Sequence, residues 1–254
     1  MSNELTFAID LAQQAGKIMR DNFSSGMEKN WKEDGTPLTA TDLAINELVI
    51  EAVSKKYPDH SVVGEEGSAE TLSDYVWVCD PVDGTIPFSH SIPTFTFSLA
   101  LTFKGESILG VIYDPMLDRL AYAEKGQGAV FNDNKAQVSD TESLGVGSIV
   151  DVECDYRFPD LRKALIGKET EITVFRSCVY IGLLIAMGEY TAVVYEYNHP
   201  WDAAAVKIIV EEAGGKVTDI EGNEQRYDQD INGMIASNGK VHEELVEIVK
   251  SLKE

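Results

Sequence analysis

The chain has 254 residues, of which 44% are hydrophobic and 25% are charged, and its formal net charge is -22 at pH 7. These values are typical of a globular protein with a substantial core, and the acidic excess argues against a nucleic-acid partner, which needs a basic face. No apolar run is long enough for a membrane span, and the N-terminus lacks the features of a signal peptide. The three cysteines are widely spaced and form no CxxC pair, so we expect no disulfide framework and a cytoplasmic location.

Two amphipathic helices are expected first. Apolar residues recur at helical spacing from residue 3 to about residue 23, which predicts the first helix. Thr39, followed three residues later by Asp42, resembles a capping box. This pair predicts the start of a second helix, which should end near Tyr57-Pro58.

The strands that follow are expected to form an antiparallel meander covered by these two helices. A short strand at residues 62–64 stops at Glu65. The run at residues 75–79 has no polar position, which predicts a buried strand that delivers Asp80 at its end. Short turns separate further strands at residues 95–103, 108–113 and 120–123.

Strands and helices alternate after residue 148, which indicates an α/β half. Strands are expected at residues 149–152, 192–195, 216–220 and 234–237. Helices are expected at residues 180–187, 201–213 and 243–252. We therefore predict an α+β N-terminal lobe at residues 1–140 and an α/β C-terminal lobe at residues 141–254. A single compact unit with two lobes is equally compatible.

Acidic residues are placed so that they could converge on one site. Asp80 and Asp83 stand three residues apart, where Pro81 stiffens the turn and Gly84 allows close approach to a ligand. The candidate metal ligands are Glu65, Asp80, Asp83 and Asp202, with the Val82 carbonyl as a neutral ligand. Such oxygen donors suit Mg²⁺, and a two-metal phosphatase needs carboxylates from several segments. On spacing alone, turn-capping roles for these acids are equally compatible.

Thr85 directly follows these acids. If a helical turn starts here, the N–H groups of Gly84 and Thr85 could hold a phosphate. The Thr85 hydroxyl could hold an attacking water if Asp42 orients it, although both residues could simply cap helices. Lys32 precedes a polar loop at residues 33–37 and could act as a lid residue that supplies positive charge.

In this order, the motifs resemble the inositol monophosphatase family. The matching runs are Gly64-Glu65-Glu66, Asp80-Pro81-Val82-Asp83-Gly84-Thr85 and Trp201-Asp202-Ala203-Ala204, and the similarity covers almost the whole chain. The resemblance implies a layered αβαβα sandwich of the sugar phosphatase type. It also implies two or three Mg²⁺ ions and a homodimer.

The resemblance also implies roles for individual residues. The residues similar to ligands of a first metal are Glu65, Asp80 and the Val82 carbonyl. Those similar to ligands of a second metal are Asp80, Asp83 and Asp202. The residues similar to catalytic groups are Thr85 and Asp42, which would activate water, together with Glu65. The expected substrate-binding residues are Asp83, Gly84, Thr85, Asp202 and Glu196, the last as the acid that binds substrate hydroxyls.

Departures from the family pattern concern the substrate. The segment 176–181 differs from the usual Gly-Ser/Thr-Ala stretch after an arginine, and Pro87 and Val206 are also atypical. The expected activity is hydrolysis of a small polyol or sugar phosphate, with inositol phosphate first. The alternatives are histidinol phosphate, fructose 1,6-bisphosphate or a bisphosphonucleotide, and, from another class, a non-catalytic binding or regulatory protein.

Overall fold

The computed structural model describes residues 1–24, 26–32, 35–154 and 156–252, so Glu33 and Asp34 of the expected lid loop lie outside it. The two N-terminal helices begin at capped positions, because the Ser2 side chain accepts a hydrogen bond from the Leu5 N–H and Thr39 forms a capping box with Asp42. The elements of the N-terminal half are α1 (Asn3–Asn22), β1 (Asn30–Trp31), β2 (Pro37–Leu38), α2 (Ala40–Lys56), β3 (Ser61–Gly64), β4 (Tyr75–Asp83), α3 (Thr85–Ser89), β5 (Thr96–Phe103), β6 (Glu106–Asp114), β7 (Arg119–Glu124), β8 (Ala129–Phe131) and β9 (Asn134–Lys135).

These strands confirm the expected meander. The larger sheet has seven strands in the order β3-β4-β5-β6-β7-β8-β9. Its pairs are antiparallel except β3 with β4, which is parallel. Helices α1 and α2 pack on one face of this sheet, with α1 over β5 to β7 and α2 over β3 and β4.

The C-terminal half forms a second, smaller sheet. Its elements are β10 (Ile149–Glu153), α4 (Leu161–Ile166), β11 (Glu171–Thr173), α5 (Cys178–Ala186), a 3₁₀ turn (Pro200–Asp202) preceded by β12 (Ala192–Tyr195), α6 (Ala204–Glu212), β13 (Lys216–Thr218), β14 (Met234–Ser237) and α7 (His242–Ser251). The strand order is β11-β10-β12-β14-β13. β10 runs parallel to β11 and β12, whereas β14 runs antiparallel to both of its neighbours.

Helices α5 and α6 lie between the two sheets. α6 packs against β5, β6 and β7 on one side and against β13 and β14 on the other. Close packing needs small residues here: a Cβ on Gly110 would lie 3.1 Å from the Ala205 Cα. α4 and α7 contact each other, and α7 packs on β14, at the outer face of the smaller sheet. The layers are therefore αβαβα, which confirms the predicted fold class.

Two predicted boundaries are wrong, and both lie near the acidic residues. The predicted helix at 201–213 is instead a 3₁₀ turn that ends at Asp202, followed by α6 from Ala204. Pro200 suits the first position of such a turn, and Ala203 has a non-helical φ of -122°. β4 continues to Asp83 rather than ending at residue 79, with a register shift between Asp80 and Asp83. Residues three apart on a regular strand face opposite sides, so this irregularity re-aims the two carboxylates.

Among the described residues, no helix combines the length and apolarity needed to cross a membrane. The change from the larger to the smaller sheet falls between Lys135 and Ile149. Residues of both halves share one hydrophobic cluster around α5 and α6. The division into two lobes at residue 140 stays a prediction.

Candidate active site

A cavity of about 500 Å³ opens where β4, the start of α5 and the 3₁₀ turn meet. Its lining includes most of the residues expected in the site: Glu65, Asp80, Val82, Asp83, Gly84, Thr85 and Asp202. The lining also includes Arg176, Ser177 and Cys178 from the atypical segment. Side chains that are up to 137 positions apart in the chain, from Glu65 to Asp202, thus face one space.

Asp83 is held rigidly in this cavity. Its Oδ2 accepts hydrogen bonds from the Thr96 hydroxyl (3.1 Å), the Tyr180 N–H (3.0 Å) and the Ser177 hydroxyl. Burial raises the pKa of Asp83 to about 6, although these hydrogen bonds favour its ionised form. The segment at residues 176–181 therefore still donates hydrogen bonds to the Asp83 carboxylate, despite its unusual sequence.

The carboxylate wall of this cavity consists of Asp80, Asp202, Asp83 and Glu65. The Asp80 Oδ1 accepts from the Val82 N–H at 3.0 Å, and the Asp202 Oδ2 accepts from the Tyr195 hydroxyl. Burial, and then the nearby carboxylate of Glu65, raises the pKa of Asp80 well above its ordinary value. Burial, followed by Asp83, does the same for Asp202. Carboxylates placed together in this way repel one another unless protons or a cation neutralise them.

Thr85 and Asp42 are in contact, as expected from the sequence. The Thr85 hydroxyl lies 3.2 Å from the Asp42 Oδ1 and 3.0 Å from the Val82 carbonyl oxygen, to either of which it can donate. The other Asp42 oxygen accepts from the Thr39 N–H at 2.9 Å. Burial raises the pKa of Asp42 to about 6. Asp42 is therefore both a helix cap and the partner of Thr85.

Gly84 shapes the turn between β4 and α3. Its φ is +87°, in the left-handed region, and a Cβ at this position would lie 2.8 Å from the Thr94 carbonyl oxygen and 2.9 Å from the Ser177 Oγ. No other residue type fits this backbone without strain. α3 begins directly afterwards, at Thr85.

Lys32 supplies positive charge at one edge of the site. Its Nζ lies 2.6 Å from the Glu65 Oε1 and 2.6 Å from the Glu66 Oε1. Burial lowers the pKa of Lys32, but the two carboxylates outweigh burial and raise it overall. Burial raises the pKa of Glu66 to about 7 against the effect of Lys32. The ammonium group of Lys32 therefore stays charged beside the carboxylate wall.

These residues fit a hard divalent cation. The donors are carboxylate oxygens from β4, the loop after β3 and the 3₁₀ turn, which is the ligand chemistry of Mg²⁺. An oxygen of Asp83, an oxygen of Asp202 and the Cys178 Sγ all lie within 4.8 Å of one another. A cation there would offset the cost of burying these carboxylates and the repulsion between them, and burial followed by that repulsion raises the pKa values of Asp80 and Asp202.

Glu196 lies elsewhere. It is buried, and its carboxylate accepts hydrogen bonds from the N–H groups of Tyr156 (2.9 Å) and Arg157 (2.6 Å). It is not among the residues that line the cavity, so the geometry gives no support for its expected contact with substrate hydroxyls. The neighbouring residue, Tyr195, faces the cavity instead.

Glu153 is a residue of the site that was not predicted from the sequence. This residue ends β10, lines the cavity, and accepts a hydrogen bond from the Ser177 N–H at 3.0 Å. Burial, followed by Asp151 and Asp83, raises the pKa of Glu153 to about 8. The sequence did contain a signal for this residue. Two acids, Asp151 and Glu153, alternate with valines on an otherwise apolar strand, which places both on one face.

The aromatic rim of the cavity was also not anticipated. The His199 and Trp201 rings stack with centroids 4.9 Å apart and an interplanar angle of 9°. Tyr195 and Tyr197 are tilted, with centroids 5.3 Å apart. All four residues line the cavity. The lining of the cavity therefore combines aromatic faces with carboxylates.

Comparison with known proteins places this arrangement in a family. The model of the inositol monophosphatase family matches residues 1–254. The chain is 32% identical to a fructose-1,6-bisphosphatase/inositol-1-monophosphatase of Thermotoga maritima, over 99% of this chain and 98% of the relative. It is 33% identical to a histidinol-phosphatase of Chlorobaculum parvum, over 97% and 96%. The solved structure of an IMPase from Thermotoga maritima superposes with a TM-score of 0.89 at 31% identity, covering 99% of this chain and 98% of that one. The chain belongs to the inositol monophosphatase family, a family of phosphatases.

Proposed function

We propose that this protein is a Mg²⁺-dependent phosphomonoesterase that hydrolyses the phosphate ester of a small polyol or sugar. The observation that carries the proposal is the convergence of the carboxylates of Glu65, Asp80, Asp83 and Asp202 on one cavity. The Thr85–Asp42 contact lies beside these carboxylates. Both parts are what a hydrolase for a charged ester needs: a site for cations and a group that orients water.

The metal ligands are proposed from the family resemblance, and the oxygen donors that line the cavity support the proposal. One Mg²⁺ would be held by Glu65, Asp80 and the Val82 carbonyl. A second would be held by Asp80, Asp83 and Asp202, and a third ion would extend the same site. Bound Mg²⁺ supplies positive charge that neutralises phosphate oxygens and lowers the pKa of water. The Val82 carbonyl oxygen is within hydrogen-bond distance of the Thr85 hydroxyl. This contact holds the proposed carbonyl ligand beside Thr85.

The groups of the chain itself position the reactants. Thr85 would hold the attacking water through its hydroxyl, and as it takes a proton from that water it would pass its own hydroxyl proton to Asp42. With a pKa of about 6, Asp42 is mostly ionised at pH 7 and can act as that acceptor. The N–H groups of Gly84 and Thr85 would hold the phosphate. Water attacks phosphorus directly in this scheme, so no covalent phosphoenzyme should form.

The substrate class follows from the relatives and needs a direct test. The names of the relatives include inositol-1-monophosphatase, histidinol-phosphatase and fructose-1,6-bisphosphatase. We propose inositol phosphate-like esters first. The test is phosphate release, with and without Mg²⁺, from inositol 1-phosphate, histidinol phosphate, fructose 1,6-bisphosphate and adenosine 3′,5′-bisphosphate. We expect Mg²⁺-dependent turnover of one ester well above the others. Folded protein that releases phosphate from none of them would overturn the proposal in favour of a binding or regulatory role.

The remaining proposals concern partners and location. We propose a homodimer in the cytoplasm, on the strength of the family resemblance and of three buried cysteines that form no disulfide with one another. A nucleic-acid partner is not proposed, because the net charge is -22. Sedimentation equilibrium tests the dimer directly. A single monomeric species at micromolar concentration would contradict that part of the proposal.

A further inference from the structure

The Cys178 thiol lies beside two residues of the carboxylate wall, Asp83 and Asp202. Cys178 is the first residue of α5, lines the cavity and is only 2% exposed. Its Sγ, an oxygen of Asp83 and an oxygen of Asp202 lie within 4.8 Å of one another. This residue belongs to the segment in which the sequence departs from the Gly-Ser/Thr-Ala pattern. The departure therefore places a sulfur atom beside two carboxylates that we propose as metal ligands.

Sulfur changes which cations such a site prefers. Mg²⁺ takes oxygen ligands and gains little from a thiol. A thiolate with two carboxylates instead suits Zn²⁺, Co²⁺ or Cd²⁺. We propose that Cys178, with Asp83 and Asp202, forms a binding site for thiophilic divalent cations that overlaps the second Mg²⁺ position. This inference rests on the proposed function, because it takes these two aspartates to be metal ligands.

The surroundings of Cys178 hold the thiol towards this position. Its Sγ lies 3.6 Å from the Asp202 backbone carbonyl oxygen. The residue before it, Ser177, is anchored to Asp83 through its hydroxyl and to Glu153 through its N–H. The start of α5 and the Asp83 carboxylate are therefore fixed relative to each other. On binding, the S–H bond breaks, the proton leaves to solvent, and a sulfur–metal bond forms.

Cobalt provides a test that does not depend on catalysis. The metal-free protein is titrated with Co²⁺, and the near-ultraviolet sulfur-to-cobalt charge-transfer absorption is recorded. The wild type should develop this absorption, and Cys178→Ser should not. Cys154→Ser is the matched control, because Cys154 is also 2% exposed but does not line the cavity. This control should give the wild-type spectrum.

Calorimetry with Cd²⁺ and Mg²⁺ gives the selectivity. Cys178→Ser should weaken Cd²⁺ binding by about tenfold or more and change Mg²⁺ binding by less than about threefold. Asp83→Asn should weaken binding of both metals, which separates failure of this inference from failure of the proposed function. Equal Cd²⁺ affinity in the wild type and Cys178→Ser would overturn the inference. If Cys178→Ser does not fold, X-ray absorption of the Cd²⁺-loaded wild type decides, and a coordination shell without sulfur refutes the proposal.

Discussion

Replacing Glu153 by glutamine should change how the stability of the protein depends on pH. Burial and two neighbouring acids raise the pKa of Glu153 from 4.5 to about 8. The folded state therefore binds this proton more tightly than the unfolded state. The resulting stabilisation is fully present below pH 4.5 and is lost as the pH rises towards 8.

The size of the effect follows from the pKa difference. One pKa unit corresponds to about 1.4 kcal/mol, so a rise from 4.5 to about 8 amounts to about 5 kcal/mol over this pH range. The side chain is 5% exposed, so solvent screening reduces this figure little. Glutamine keeps an oxygen that can accept the hydrogen bond from the Ser177 N–H. The variant should therefore match the wild type near pH 5 and exceed its free energy of unfolding by roughly 3 to 5 kcal/mol at pH 8.

The assay is urea unfolding at a series of pH values from 5 to 8.5, with a chelator present so that no metal compensates the charges. Glu189→Gln is the matched control, because Glu189 is exposed and its variant should follow the wild-type curve. Curves for Glu153→Gln and the wild type that stay parallel, within about 0.5 kcal/mol, would refute the reasoning. So would a variant that is less stable at every pH.

Three further changes test the site. Asp83→Asn should abolish turnover, weaken Mg²⁺ binding by a factor of about 100 or more in calorimetry, and leave the circular dichroism spectrum unchanged; full activity would contradict the metal assignment. Thr85→Ala should lower kcat by about 100-fold or more with little change in KM, whereas Thr85→Ser should recover most of the rate; equal rates for the two variants would exclude a role for the hydroxyl. Gly84→Ala should cost roughly 1 to 3 kcal/mol of stability in urea unfolding, because φ is +87° and the added Cβ would meet the Thr94 carbonyl oxygen at 2.8 Å; a midpoint equal to that of the wild type would contradict this account.

The local patterns of the sequence predicted the fold well. Helical spacing, the capping box at Thr39 and the apolar run before Asp80 each depend on neighbouring residues, and the structure confirms all three. The acids of β4 were found for the same reason, because they form one contiguous motif. The 3₁₀ turn at Pro200 was missed, since a helical pattern does not distinguish a tight first turn from an α-helix.

Contacts between distant segments were not predictable in this way. Ser177 hydrogen-bonds Asp83 across 94 positions, and no local pattern marks that pairing. Glu196 shows how sensitive a strand end is to register. It follows β12 directly, and a shift of one residue reverses the direction of the side chain, so Tyr195 reaches Asp202 while Glu196 turns towards the N–H of Arg157.

The most direct test of the central claim is the Mg²⁺ dependence of phosphate release. Protein freed of metal by a chelator is assayed on the best ester of the panel, and Mg²⁺ is then added back. We expect no phosphate release before the addition, recovery with Mg²⁺ in the wild type, and no recovery in Asp202→Asn. Phosphate release by the metal-free protein, or full recovery in Asp202→Asn, would contradict the claim that the carboxylate wall is the catalytic metal site.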